Sequence, residues 1–269
     1  MARTIVLAAR ENGFGDVITV LHGEVEDVEL PPGAGGDGKV DVIVSEWMAI
    51  FLVQEGMLES VLFARDKWLR AGGALFPCRA RIYVQPCDMS EDRARELNFW
   101  NDVHGFKFGV LQQRNREAQT AGPHRKSVRA DQAVAPPLLL ADIDLNTVDA
   151  AALVEVQHSG MRFDCSRAFC TICFWWTTTF PAPPILPASD DGDGGGGDGG
   201  GNNTALTKDA VVLSTAMDAP PTHWEQGVIH LPGLIGPVEG GAFRTPPLKV
   251  SLKKSAENHR NYDISVEFA

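Results

Sequence analysis

One stretch constrains this chain more than any other. An apolar run, Val40-Asp41-Val42-Ile43-Val44, leads into Ser45-Glu46-Trp47-Met48-Ala49-Ile50-Phe51-Leu52-Val53-Gln54-Glu55-Gly56-Met57, and an amphipathic helix is predicted from Leu58 to Leu69. Together with the elements upstream, helix, strand, loop, strand and helix in that order suggest half of a doubly wound α/β domain. Glu46 and Glu55 stand in a segment otherwise almost free of charge. Two carboxylates in apolar surroundings need a cation between them, or one takes up a proton. The plain alternative is that one glutamate caps the helix and the other faces water. Spacing alone does not choose between these.

Upstream, Thr4 to Arg10 has helical spacing of Ile5, Val6 and Ala9, and Asn12-Gly13 is a stop signal. Val17 to Leu21 is predicted as a strand, His22 to Val28 as a loop, and Pro31 to Lys39 as a flexible insertion. Val40 to Val44 has the continuous apolar character of a strand buried in a parallel sheet. Gly72-Gly73 is expected to end the helix that follows. Downstream the pattern changes. Arg79 to Val84 alternates as a half-buried strand does, and strand signals recur at Asp142–Leu145, Met161–Cys165, Phe169–Phe180, Val211–Thr215, Leu248–Leu252 and Tyr262–Phe268. These predict a β-barrel, with Phe169 to Phe180 as its spine. Glu91 to Val110 is a charged helical interruption carrying Leu97, Phe99, Trp100, Val103 and Phe106. Ala118 to Pro137 is polar and is predicted as a loop.

Several function classes are disfavoured. The 35 acidic against 24 basic residues leave a net charge of −11, which argues against a nucleic-acid binder. The same charge suits attraction of basic partners, and solubility alone would also explain it. No apolar run has membrane-spanning length, and Met1-Ala2-Arg3-Thr4-Ile5-Val6 does not read as a secretory signal, so a soluble intracellular protein is expected. The five cysteines do not suggest a disulfide framework. Cys170-Thr171-Ile172-Cys173 has the form of a metal or redox pair, but it lies in an apolar strand without a second pair at zinc spacing. No metal site is expected, and core packing is the reading. The Gly192–Gly199 run lacks the Lys-Ser or Lys-Thr of a phosphate loop and is read as a disordered insertion.

The double-glutamate segment resembles that of the protein arginine methyltransferases. Their pattern runs Ser-Glu-Trp-Met-Gly-Tyr, a few apolar residues, then Glu-Ser-Met. Ser45, Glu46, Trp47, Met48, Glu55 and Met57 fit it, as does Leu62-Phe63-Ala64-Arg65-Asp66-Lys67-Trp68-Leu69. A second family motif is Thr222-His223-Trp224, followed by Gln226 one residue later. Gly23-Glu24-Val25-Glu26-Asp27-Val28 is similar to the family's Gly-Lys-Val-Glu-Glu-Val. Asn98 to Phe106 resembles its dimerisation arm, and Asn258-His259-Arg260-Asn261 its Asn-rich turn. The position of the acidic glycine run is similar to that in plant and algal members.

The resemblance implies a fold and a set of roles. The fold is α/β followed by β. Residues 1–77 would form the C-terminal half of a Rossmann-like methyltransferase domain. Residues 78–269 would form a β-barrel domain, with a helical dimerisation arm at about 88–116 and the insertion at about 181–207. Glu46 and Glu55 would hold and activate a guanidinium, and His223 would help carry away a proton. Val25, Glu26 and Met57 would line the S-adenosylmethionine site, with Glu26 on the adenine amino group. Met48 and Trp224 would contact the substrate arginine. Expected partners are arginine-containing proteins, histones or Gly-Arg-rich chains, and a second copy through the arm. The Thr-His-Trp motif and Met57 resemble the type I class, which makes asymmetric dimethylarginine. A nuclear or cytoplasmic location is expected.

The pattern also departs from the family. Ala49, Ile50 and Gly56 stand where a Gly, a Tyr and a Ser are usual, and Glu225 where a Lys is usual. Ala49 is expected to strain a glycine-type backbone, and Gly56 to loosen the turn into the helix. A strand–Gly-rich loop–helix for the cofactor and an acid for its ribose would lie upstream of Met1. The expectation is a truncated chain, with a noncatalytic partner of a full-length enzyme as the alternative.

Overall fold

The structure, a computed structural model, describes residues 1–33, 37–182, 209–237 and 239–268. The insertion expected at about 181–207 falls outside the described residues, apart from Pro181 and Ala182. Helix α1 (Ala2–Glu11) opens the chain, and β1 (Val40–Val44), α2 (Met57–Trp68) and β2 (Leu69–Phe76) follow. Strands β1 and β2 pair in parallel, with Val42, Ile43 and Val44 opposite Ala74, Leu75 and Phe76. This is a strand–helix–strand unit, as a parallel pair requires a crossover. Gly72 and Gly73 do not end a helix. They lie inside β2, where Gly72 has φ 75° and a Cβ at Gly73 would come within 2.9 Å of the Asp41 carbonyl. The sequence reading missed β2 because two adjacent glycines mark turns more often than strand interiors.

Two further expectations for this region fail. Val17 to Leu21 forms no strand. Val17, Ile18 and Leu21 are exposed, and no described strand pairs with them. Strand β1 is not buried on both sides either, because β2 is its only partner among the described residues, and Val44 remains 76% exposed.

The rest of the chain is a β-barrel with a helical excursion. Its elements are β3 (Arg79–Cys87), α3 (Ser90–Asn98), α4 (Gly109–Thr120), β4 (Pro123–Lys126), β5 (Leu138–Asp144), β6 (Glu155–Met161), β7 (Asp164–Cys165), β8 (Phe169–Phe180), β9 (Val211–Ser214), β10 (Gln226–Ile235), β11 (Phe243–Arg244), β12 (Leu248–Lys254) and β13 (Tyr262–Phe268). The largest sheet runs β4-β10-β8-β3-β5, with β9 also on β8. Strand β8 pairs with β3, β9 and β10, and its first six residues are all buried. A second sheet runs β13-β12-β6, and β11 pairs with β7. Ala118 to Pro137 is not simply a loop: it contains the end of α4, the strand β4 and a short 3-10 turn at Ala130–Gln132.

One apolar core joins the two parts. Trp47, Phe51, Leu52, Leu58 and Leu62 pack in the same cluster as Ile82, Phe169, Phe174, Trp176 and Leu248. Helix α2 faces this core through Leu58, Val61 and Leu62, and its Ala64 and Trp68 are buried as well. Arg65 adds a polar fastening, its Nη1 donating to the carbonyls of Leu145 and Val148, both at 2.8 Å.

Helices α3 and α4 form the arm. No residue of α3 is buried, and only Gln119 of α4 is. Phe99, Phe106, Phe108, Val110 and Leu111 are exposed. The base of the arm is tied down: Arg93 Nη1 donates to the carbonyls of Cys170 and Leu231, and Lys126 Nζ to Glu96 at 2.5 Å.

Candidate active site

The segment between β1 and α2 is a tight hairpin. Ala49 and Leu52 exchange backbone hydrogen bonds of 3.0 and 2.9 Å across the turn. Glu46 and Glu55 lie the same distance along the chain on either side of that bridge, so they leave the hairpin at matching positions on its two limbs. Trp47, Met48, Ala49, Phe51, Leu52 and Val53 are buried between them, whereas both acids are exposed. Apolar residues that face the core and acids that face solvent thus alternate by function within one turn.

The hairpin is strained at two places. Leu52 has φ 63° and Glu55 φ 78°, the left-handed region in which a non-glycine residue costs on the order of 1–2 kcal/mol. Ala49 is not among the positive-φ residues, so the strain expected there lies at Leu52 and Glu55 instead. Such strain persists where packing over-determines it. Leu52 is fully buried, and the Glu55 N–H donates to the Arg260 carbonyl at 2.6 Å. Gly56 does not loosen the turn. It is the residue before α2, with φ 69°, a conformation glycine adopts without cost. Its backbone also lies against residues 259 and 260, where an added Cβ would meet the His259 carbonyl at 3.3 Å.

Glu55 opens onto a cleft of about 530 Å³ that is also lined by Val25, Glu26, Met57, Ser60 and Arg260. Three predicted cofactor residues and one predicted catalytic residue are therefore brought together. Ser60 Oγ donates to Glu26 Oε1 at 2.5 Å, which anchors the carboxylate through one oxygen. Glu24 and Glu59 line the same cleft, so it is strongly acidic. Glu46 does not line it. Its Oε1 accepts the Met48 N–H at 3.1 Å, which holds the carboxylate at the start of the hairpin.

The second motif docks directly on the first. The Trp224 indole N–H donates to the Met48 carbonyl at 2.9 Å, and the Trp176 indole N–H to the Ala49 carbonyl at 2.9 Å. The two indoles meet edge to face with centroids 5.1 Å apart. Phe51 packs edge-on against Phe174 and covers Gly227, where a Cβ would lie 2.4 Å from the ring. Met48 itself is buried, so its contribution at the surface of the hairpin is its carbonyl. His223 is exposed and lies against Trp224, with centroids 3.8 Å apart. Glu225 is paired with Arg125 at 3.1 Å, so its charge is partly neutralised.

Sequence reasoning assigned no role to Glu24, Glu59, Ser60, His259 or Arg260 of the cleft, and the last two come from farthest along the chain. These two belong to the Asn258–Asn261 turn, and Arg260 Nε also donates to the Glu55 carbonyl at 3.3 Å. The cysteines take no part. All five are free, and burial pushes the Cys165 thiol up to about 11 and the Cys78 and Cys173 thiols above the ordinary value. Among the described residues no cluster of His, Cys, Asp and Glu could hold a metal ion, and no helix is long and apolar enough to cross a membrane.

A family model described as the arginine methyltransferase oligomerization subdomain matches residues 78–187 and 202–269. The chain belongs to the protein arginine methyltransferase family. Probable protein arginine N-methyltransferase 6 of Arabidopsis thaliana is 31% identical over 283 residues, covering 100% of this chain and 63% of that relative. Probable protein arginine N-methyltransferase 6.1 of Oryza sativa subsp. indica is 33% identical over 270 residues, covering 99% of this chain and 68% of the relative. Among solved arginine methyltransferases, the Trypanosoma brucei PRMT1 enzyme–prozyme heterotetrameric complex with AdoHcy matches with a TM-score of 0.72 and 26% identity. That match covers 100% of this chain and 74% of the other. The chain spans 63% of the length of the Arabidopsis relative. The fold class follows: a Rossmann-like α/β part followed by the β-barrel of the arginine methyltransferases.

Proposed function

We propose that this chain is the arginine-holding part of an S-adenosylmethionine-dependent protein arginine N-methyltransferase. The observation that carries this reading is the docking of the Thr222-His223-Trp224 turn on the double-glutamate hairpin through the Trp224–Met48 hydrogen bond. A guanidinium is planar, permanently charged and a poor nucleophile. Glu46 and Glu55 grip it by charge-assisted hydrogen bonds and draw its positive charge away from one terminal nitrogen. That nitrogen would then be free to take a methyl group, the methyl–sulfonium bond of the cofactor breaking as the neutral thioether leaves, and His223 would pass the one released proton to solvent. Holding the nitrogen in place supplies much of the acceleration.

The cleft residues fit the cofactor. Its volume is within the range of small-molecule sites. Val25 and Met57 offer apolar walls, and Glu26 keeps an acceptor oxygen beyond the one bonded to Ser60. S-adenosylmethionine held there supplies a methyl group activated on a sulfonium. The product is asymmetric dimethylarginine on arginine-containing proteins, histones or Gly-Arg-rich chains, in the nucleus or cytoplasm. The exposed aromatics of the arm, Phe99 and Phe106 above all, make a homodimer contact.

A second reading is a noncatalytic partner of another arginine methyltransferase. The enzyme–prozyme complex to which the chain is similar is an assembly in which such a pairing occurs. Methyl-labelled S-adenosylmethionine and a Gly-Arg-rich peptide test the first reading. Label recovered as asymmetric dimethylarginine supports it. No label, no heat on titration with S-adenosylmethionine and co-purification with another methyltransferase would support the second.

A further inference from the structure

A second pocket lies on the opposite side of the sheet from the hairpin. Trp175 and Trp176 are neighbours on β8, so their side chains leave opposite faces of the sheet. Trp176 holds the hairpin through the Ala49 carbonyl. Trp175 lines a pocket of about 220 Å³ together with Gln85, Pro137, Met217 and Asp218. That is below the roughly 300–1,000 Å³ of small-molecule sites, so it suits one side chain rather than a whole cofactor.

The walls of this pocket are held in place before anything binds. The Trp175 indole N–H donates to Gln85 Oε1 at 3.0 Å, and Gln85 Nε2 donates to the Ala135 carbonyl at 2.9 Å. Tyr83 stacks on Trp175 with centroids 4.1 Å apart, and the Cys87 thiol donates to Met217 Sδ. Asp218 is exposed and has no ion pair among the described residues. The nearby cation Arg129, adjacent to Ala130 of the pocket wall, is already engaged by Asp92 and Asp131. An indole and a free carboxylate beside apolar walls suit a planar cation with an apolar stem, and a guanidinium satisfies both better than an ammonium.

The pocket is also tied to the candidate active site. Residues 216–225 form one loop closed at its base, where Gln226 Nε2 donates to the Thr215 carbonyl at 2.8 Å and the Thr215 N–H to the Trp176 carbonyl at 2.9 Å. One limb carries Met217 and Asp218, and the other carries His223 and Trp224.

We propose that this pocket binds a second arginine side chain of an arginine-rich protein, apart from the arginine held at the hairpin. The proposal rests on the methyltransferase reading only for the source of that arginine. It is tested by following the indole N–H resonances of the ¹⁵N-labelled chain during titration with a Gly-Arg repeat peptide, with Trp175 assigned by Trp175→Phe. A citrulline peptide serves as the neutral control. The expected result is a saturable shift at Trp175 that the citrulline peptide does not produce. Asp218→Asn, at an exposed position that leaves the fold intact, should weaken it up to about fivefold. Glu55→Gln should leave the Trp175 shift unchanged, so failure of the active-site reading would be seen separately. No shift at Trp175, an equal shift with citrulline, or unaltered binding in Asp218→Asn would overturn the proposal.

Discussion

Gly227 shows how much of the site depends on a single missing atom. Phe51 occupies the space that a Cβ would need, so Gly227→Ala must displace the hairpin ring. Overpacking of this kind costs about 1–3 kcal/mol. Chemical denaturation should show that loss, and Phe51→Leu in the same chain should restore part of it. His230 makes a different prediction. It is buried, with Nδ1 2.9 Å from Thr171 Oγ1 and Nε2 without a partner among the described residues. Burial first, then the charges of Arg93, His124 and Lys126 against the opposing pull of Glu96, lower its pKa from 6.5 to about 4. The unfolded chain therefore takes up a proton near pH 6.5 that the folded chain refuses until about pH 4. Stability from this group is complete above 6.5 and is lost as pH falls toward 4. Thermal melts across that window should show the slope, and His230→Gln should flatten it. At this scale the chemistry-bearing types were legible: Glu46, Glu55, His223 and Trp224 announced themselves by motif. Arg260 did not, because its contact with Glu55 joins residues 205 apart in sequence.

Elements were legible where their pattern was continuous. Helix α2 and strand β8 were readable from periodicity and from an unbroken apolar run. Strand β10 was not, because Leu231-Pro232-Gly233 resembles a turn and the pairing with β8 shifts register between His230 and Ile235. The fastening between elements was also hidden. Arg65 appeared only inside the Leu62–Leu69 motif, yet its guanidinium bonds two carbonyls of the β5–β6 connection while its side chain is 13% exposed. Arg65 also keeps Nε on Asp66 while Nη1 serves both carbonyls, and a lysine's single ammonium on a flexible stem cannot hold both places at once. Arg65→Lys should cost about 2 kcal/mol, the scale of hydrogen bonds made by a charged group. Urea unfolding would measure it, with the midpoint falling and the slope unchanged.

At the scale of the whole molecule, the order α/β then β was visible in the change from strand–turn–helix signals to alternating strands after Arg79. What the sequence could not show was that one core runs through both, because the contacts between hairpin and barrel are all between distant residues. The arm is where assembly would be expected. Its aromatics are exposed while its base is fixed to the barrel by Arg93. Phe99→Asp together with Phe106→Asp should shift sedimentation from dimer to monomer while the far-UV circular dichroism stays that of the folded chain, since neither ring is buried in the chain.

The most direct measurement concerns the two acids of the hairpin. In a labelled methyl-transfer assay on a Gly-Arg-rich peptide, Glu46→Gln and Glu55→Gln should each lower kcat by about 10²–10³. Because both side chains are exposed, the melting temperature should stay where it was. Transfer at the wild-type rate by either variant, or no transfer by the wild-type chain, would contradict a guanidinium held between these carboxylates.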